Sequence, residues 1–137
     1  MKSFTQIILI LLLTFTINPV YGEDEGEIYY CSSSDTNGFS YNKESDSYKR
    51  AGFGIVRFKL KIDTDHKSIK VAGDKALNGI FPCTKPFSKR PAISCADNFN
   101  MYNINTETGR FVWAAGYGHV VVDKDSITIS IGKCDKF

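Results

Sequence analysis

The chain has 137 residues, with 17 Lys and Arg against 15 Asp and Glu, a formal charge of +2. Such near-balance gives no reason to expect nucleic acid or an anionic membrane as a partner, because both normally demand a basic surface. The length suits one domain with one modest core.

Residues 1–22 read as a secretory signal peptide. Lys2 is their only charge, residues 7–15 form an apolar block, Asn18-Pro19 breaks it, and Val20-Tyr21-Gly22 offers a cleavage site. The block is shorter than the roughly 20 apolar residues that a bilayer span requires. Cleavage before Glu23 releases residues 23–137 as a periplasmic or secreted domain with no membrane span. Its new start gathers Glu23, Asp24, Glu25 and Glu27, the composition of a solvated tail. Cys31, Cys83, Cys95 and Cys134 all fall in the exported part. In an oxidising compartment an even count implies two disulfides in one of three pairings. We favour Cys31–Cys134, which joins the start of the domain to its end, with Cys83–Cys95 closing a short loop around Pro86 and Pro91. There is no Cys-x2-Cys pair, and neither His66 nor His119 sits at finger spacing, so neither zinc nor any cofactor is expected.

Period-two alternation dominates the chain after residue 22. A first short strand is expected over 28–32, a turn at Thr36-Asn37-Gly38, a second strand starting near Phe39, and a polar loop over 42–47. Residues 55–62 give the clearest strand, with Val56, Phe58, Leu60 and Ile62 on one face and Arg57, Lys59 and Lys61 on the other. Asp63-Thr64-Asp65-His66-Lys67 turns the chain into a hairpin partner over 68–72. From Gly73 to Pro91 the pattern dissolves among Gly and Pro, and Ala76-Leu77 supports one helical turn at most. Further strands are expected over 93–96, 99–105, 110–115 and 119–122, with Phe111 and Trp113 on one face of the third. In the last strand, 126–131, Ile127, Ile129 and Ile131 alternate with Ser126, Thr128 and Ser130, the pattern of a strand wet on one side. Some seven to nine short strands at turn spacings of about 8–12 residues predict an all-β domain. It should be a small antiparallel β-barrel or β-sandwich stapled by disulfides.

The residues capable of chemistry are few. His66 and His119 are the only histidines. The Asp-Thr-Asp-His turn is too short for a calcium loop, which takes six or more oxygen ligands. His119 has no Gly-x-Ser-x-Gly elbow to serve, and no phosphate loop or His-Glu-x-x-His helix is present. Two candidate contact regions remain. Tyr117 lies between glycines beside His119, and Lys85, Lys89 and Arg90 make the long Pro-rich loop locally basic.

The order Tyr29-Tyr30-Cys31, Gly38-Phe39-x-Tyr41, Pro82-Cys83, Ser94-Cys95, Gly109-Arg110-Phe111 and Ile127-x-Ile129-x-Ile131-Gly132-x-Cys134 resembles a group of small exported bacterial proteins of unknown function. Tyr29-Tyr30-Cys31 with the late Cys134 is also similar to the periplasmic inhibitors of C-type lysozyme, which are small β-barrels. The inhibitory loop of that family carries Ser-Gly-x-x-Tyr, and its nearest counterpart here is Ala114-Ala115-Gly116-Tyr117. The resemblance implies inhibition of a peptidoglycan-cleaving enzyme.

Taken together, these features lead to the expectation of a non-catalytic binding protein whose partner is an envelope protein or a cell-wall component. The alternatives are the lysozyme-type inhibitor and a hydrolase that uses scattered acids. Export is directly measurable: the processed protein should begin at Glu23 with no titratable thiol. A product that retains Met1 and four reactive thiols would contradict the assignment.

Overall fold

The computed structural model describes residues 26–73, 78–85, 89–121 and 124–137. The expected signal segment, the acidic Glu23–Glu25 run and the turn at Ala76-Leu77 lie outside them.

β1 (Glu27–Asn42) is a single long strand where the sequence predicts two short ones separated by a turn. Thr36-Asn37-Gly38 is extended because both edges of β1 are paired at that point. β2 (Ser47–Gly52) and β3 (Arg57–Ile62) run back along one edge of β1. They keep a single register, with Gly52 opposite Asn37 and Arg57 opposite Ser32, so they form one strand interrupted over 53–56. β4 (Ser68–Ala72) follows as the expected hairpin partner.

β5 (Gly79–Thr84) falls where the pattern was expected to dissolve. Only Phe81 and Cys83 of this strand point inward. Pro82 faces out opposite Ser68, leaving the amide of Cys83 to donate to the Lys67 carbonyl at 2.7 Å. β6 (Ala92–Ala96), β7 (Asn100–Asn105) and β8 (Arg110–Ala115) form a meander close to that expected. Of the strand expected over 119–122, residues 119–121 lie instead in α1 (Tyr117–Val121), a short helix that precedes β9 (Ile127–Lys136), and Val122 lies outside the described residues. Both edges of β8 are already taken, by β7 and by β9.

The sheet closes when β9 pairs β1, giving an antiparallel barrel of β1 and β3 to β9, with β2 as an extra strand. The barrel form of the expectation therefore holds, and so do both favoured disulfides. Cys31 faces Cys134 across β1 and β9, and Cys83 faces Cys95 across β5 and β6. On the chain-entropy account, the bond spanning 103 residues constrains the unfolded chain by about 4.7 kcal/mol, and the one spanning 12 residues by about 3 kcal/mol. Two cystines suit an oxidising, non-cytoplasmic environment.

Aromatic rings fill the interior. Phe58, Phe81 and Trp113 surround Tyr102 with centroid separations of 6.1, 4.9 and 6.3 Å. Leu60, Ile62, Ile69, Val71 and Ile93 complete the core. β9 contributes small residues to it: Ser130 opposes Trp113, and Gly132 opposes Phe111. A Cβ on Gly132 would lie 2.2 Å from the Ser32 carbonyl oxygen and 2.8 Å from the Phe111 ring. Large rings on β7 and β8 leave no room for large side chains opposite them. Gly109, at a φ of +70°, allows an equally close approach to the Cys134 carbonyl.

Both ends are tied by polar contacts. At one, Glu27 accepts from Tyr29 and pairs with Lys136, joining the start of β1 to the end of β9. These contacts, Lys136 first, hold the Glu27 carboxyl below its ordinary range. Desolvation, followed by the bond to Glu27, pushes the Tyr29 phenol up to about 12. At the other, β1 bulges at Ser34, so Ser33 opposes Gly132 while Asp35 opposes Ile131. A buried hydroxyl cluster fills the kink. Thr36 lies 2.9 Å from Ser130 and donates to Ser33 at 3.2 Å, and Ser33 accepts from the Val56 amide at 2.8 Å.

The Tyr102 hydroxyl is buried with no hydrogen-bond partner among the described residues, and burial pushes its phenol well above the ordinary range. Removing an unsatisfied hydroxyl costs nothing in lost bonds. Tyr102→Phe should therefore leave stability unchanged or raise it by up to about 1 kcal/mol, whereas Tyr102→Ala should cost about 3–5 kcal/mol. Urea unfolding checks both, and a loss above about 2 kcal/mol in the Phe variant would reveal a partner for the hydroxyl.

Candidate binding surface

The phase of β9 decides what the outside of the barrel presents. Cys134 is buried, and strand alternation carries Gly132, Ser130 and Thr128 to the inside with it. Ile127, Ile129 and Ile131 therefore face out, the reverse of the pattern that alternation with Ser and Thr suggests. Ser130 is fully buried, while Ile129 and Ile131 are 52% and 48% exposed. Their neighbours across the ladders share the outer face. Ile129 lies between Asn37 and Ala114, Ile131 between Asp35 and Val112, and Ile127 beside Phe39. Met101, opposite Ala114, extends the ridge onto β7. The result is an apolar ridge across β1, β9, β8 and β7, with Phe39 and Met101 also exposed.

Shallow grooves flank the ridge. One of roughly 690 Å³ is lined by Phe39, Arg50, Gly52, Ile129 and Ile131. The other, roughly 530 Å³, runs past Asn103, Arg110, Val112 and Ile131. Ile131 is common to both.

The five residues singled out from the sequence do not form one site. The β5–β6 connection carries Lys85, Lys89 and Arg90, all exposed, at the barrel end where the Thr106 amide donates to the Pro91 carbonyl. His119 is on α1, which follows the opposite end of β8, and the barrel separates it from those cations. Its ring meets Tyr48 edge to face at 4.3 Å, and its Nδ1 is buried without a hydrogen-bond partner among the described residues. Tyr48 also donates to the Asp125 carbonyl at 3.1 Å, so α1 and the segment after it are anchored to the β1–β2 hairpin. The Tyr117 side chain lies outside the described residues. Ala114-Ala115-Gly116-Tyr117 passes from the last residues of β8 into α1 at this same rim. In the acidic turn before β4, Asp65 pairs with Lys67 at 2.9 Å, which lowers the Asp65 carboxyl, and His66 adopts a left-handed φ of 57°.

The ridge was open to inference from one signal. If Cys134 is bonded inside the barrel, counting back by twos from it places the isoleucines outside. Compared with protein-family models, curated proteins and solved structures, the chain matches none.

The phase of β9 makes a sharp stability prediction. Ser130→Leu should cost about 1–3 kcal/mol by overpacking against Trp113, while Ile129→Ser and Ile131→Ser should each change stability by less than about 1 kcal/mol. Chemical denaturation of the three variants checks this, and the opposite ranking would place the isoleucines inside.

Proposed function

We propose that this chain is a non-catalytic exported protein that acts by binding at the cell envelope. Its contact surface is the outer ridge of β1, β9 and β8. The supporting observation is the outward display of Ile129 and Ile131 from a barrel whose interior is already filled by Tyr102, Phe81 and Trp113. With these rings packed in the interior, the outer faces are the surfaces offered for recognition. Contiguous apolar surface between polar margins is the usual mark of a docking site. Here Asp35, Asn37 and Arg50 supply the margin that would orient a partner. The reading of residues 1–22 as an export signal supports a partner outside the cytoplasm, and the two cystines suit an oxidising environment there.

The test is sedimentation of the processed protein with the envelope fraction of its own cell. The wild type should co-sediment, and Ile129→Lys with Ile131→Lys should release it by about tenfold at unchanged melting temperature. Equal sedimentation of the folded variant would exclude the ridge as the contact, and turnover in a hydrolase screen would exclude a purely binding role.

A further inference from the structure

Net charge conceals how the ladders sort the cations. On the outer face, register brings Arg110, Lys133, Ser32 and Arg57 into one row across β8, β9, β1 and β3. The next row holds Asp135, Tyr30, Lys59 and Ala72. A third holds Ile28, Lys61, Lys70 and Ile80, and the Phe137 amide extends it by donating to the Ile28 carbonyl at 2.9 Å. All of these positions alternate with buried ones: Tyr29 and Cys31 on β1, Phe58, Leu60 and Ile62 on β3, Ile69 and Val71 on β4. Cations therefore crowd one side of a barrel that is almost neutral overall.

The acids do not cancel them. Asp135 pairs with Lys133 at 3.5 Å. Among the described residues, Arg57, Lys59, Lys61 and Lys70 have no ion-pair partner. Apolar side chains stand between these cations: Ile28, Tyr30, Ile80 and Phe137 are 42%, 46%, 67% and 87% exposed. The Phe137 ring packs on Tyr30 at 5.8 Å, and the Lys59 ammonium lies 5.4 Å from the Tyr30 centroid. Tyr30 thus holds an aromatic ring and a cation together at the centre of the face.

We infer that this face docks on an anionic phospholipid bilayer, with Arg57, Lys59, Lys61 and Lys70 pairing with headgroup phosphates and Ile28 and Phe137 entering the acyl boundary. Charge complementarity supplies the first half of the argument. Each Lys or Arg close to an anionic leaflet adds attraction, and four of them act together. The second half is the exposed apolar set. A soluble polyanion would be satisfied by the cations alone and has no use for an exposed Phe137 or Ile28. The headgroup zone accommodates both chemistries at once, and Tyr is a side chain favoured there. Adjacent strands of an eight-stranded barrel are turned by about 45°. β1 and β3 can therefore face a flat surface with β9 and β4 as shoulders. The inference deepens the envelope reading and rests on it, but it uses a different face from the Ile129–Ile131 ridge.

The experiment mixes the processed protein, which retains Glu23, Asp24 and Glu25, with vesicles of phosphatidylcholine alone or containing about one third phosphatidylglycerol. Binding to the anionic vesicles should be at least about tenfold tighter and should fall about tenfold between roughly 0.05 and 0.5 M salt. Lys59→Glu with Lys61→Glu and Lys70→Glu should lose at least about tenfold. Lys59→Gln with Lys70→Gln should lose about fivefold, and it serves if charge reversal impairs folding. Ile28→Ser with Phe137→Ser should weaken binding at both salt concentrations, with near-UV circular dichroism confirming an intact fold. Equal binding to the two vesicle types would overturn the inference. So would full binding by a folded charge variant, or capture by soluble polyanions without vesicle binding. If vesicles fail while envelope sedimentation through Ile129 and Ile131 persists, the lipid assignment falls and the envelope reading stands.

Discussion

The pairing of the first strand with the last is the constraint on which the rest of this structure depends. β1 and β9 close the barrel, and Cys31–Cys134 is a direct cross-strand pair within that seam. Without the seam, each of these strands would have an open edge and the interior would be exposed along its length. Closure also fixes phase. Once Cys134 is held inside, Gly132 and Ser130 must follow it, and the isoleucines between them must face out. The interior accommodates this because Phe111 and Trp113 fill the volume opposite the small residues of β9. Two consequences that look separate, a core built of rings and an apolar exterior ridge, arise from the same register.

The bulge at Ser34 shows how the seam tolerates a strand that does two jobs. The first part of β1 lines the barrel with Tyr29 and Cys31, and the second extends beyond it with β2 as partner. The extra residue shifts alternation, so Thr36 rather than Asp35 points inward. The hydroxyls of Ser33, Thr36 and Ser130 then satisfy one another where apolar packing ends. A buried polar cluster of this kind is tolerable only because its members are paired.

Much of the fold was legible in the sequence, and the failures have physical causes. Phe58, Leu60 and Ile62 declare β3 because every inward residue is large and every outward one charged. β5 hides because Pro82 sits in it and only Phe81 is a large inward side chain. Val120 and Val121 are strand-forming residues, but β7 and β9 already take both edges of β8, and α1 forms there instead. The last strand misleads most. Amphipathic alternation assumes that apolar residues go inside, and that fails when the space opposite is already taken. The candidate residues named from the sequence lie apart: His119 packs against Tyr48, and Lys85, Lys89 and Arg90 lie at the other end of the barrel. The basic outer face was half legible: Arg57, Lys59 and Lys61 on β3 and Lys70 on β4 belong to the hairpin expected from the sequence, while only the register adds Lys133 and Arg110 from the end of the chain. Total charge is a poor guide to a surface when a barrel sorts charge by face.

The seam itself is best tested by the cross-strand nuclear Overhauser effect between the α-protons of Cys31 and Cys134 in the oxidised protein. Facing residues in this register place those protons in close contact. A strong cross-peak is expected, accompanied by weaker connectivity between Thr36 and Ser130. Its absence, or an α-proton contact between Cys31 and Ile131, would mean that the strands meet in another register and that the isoleucine ridge does not exist as described.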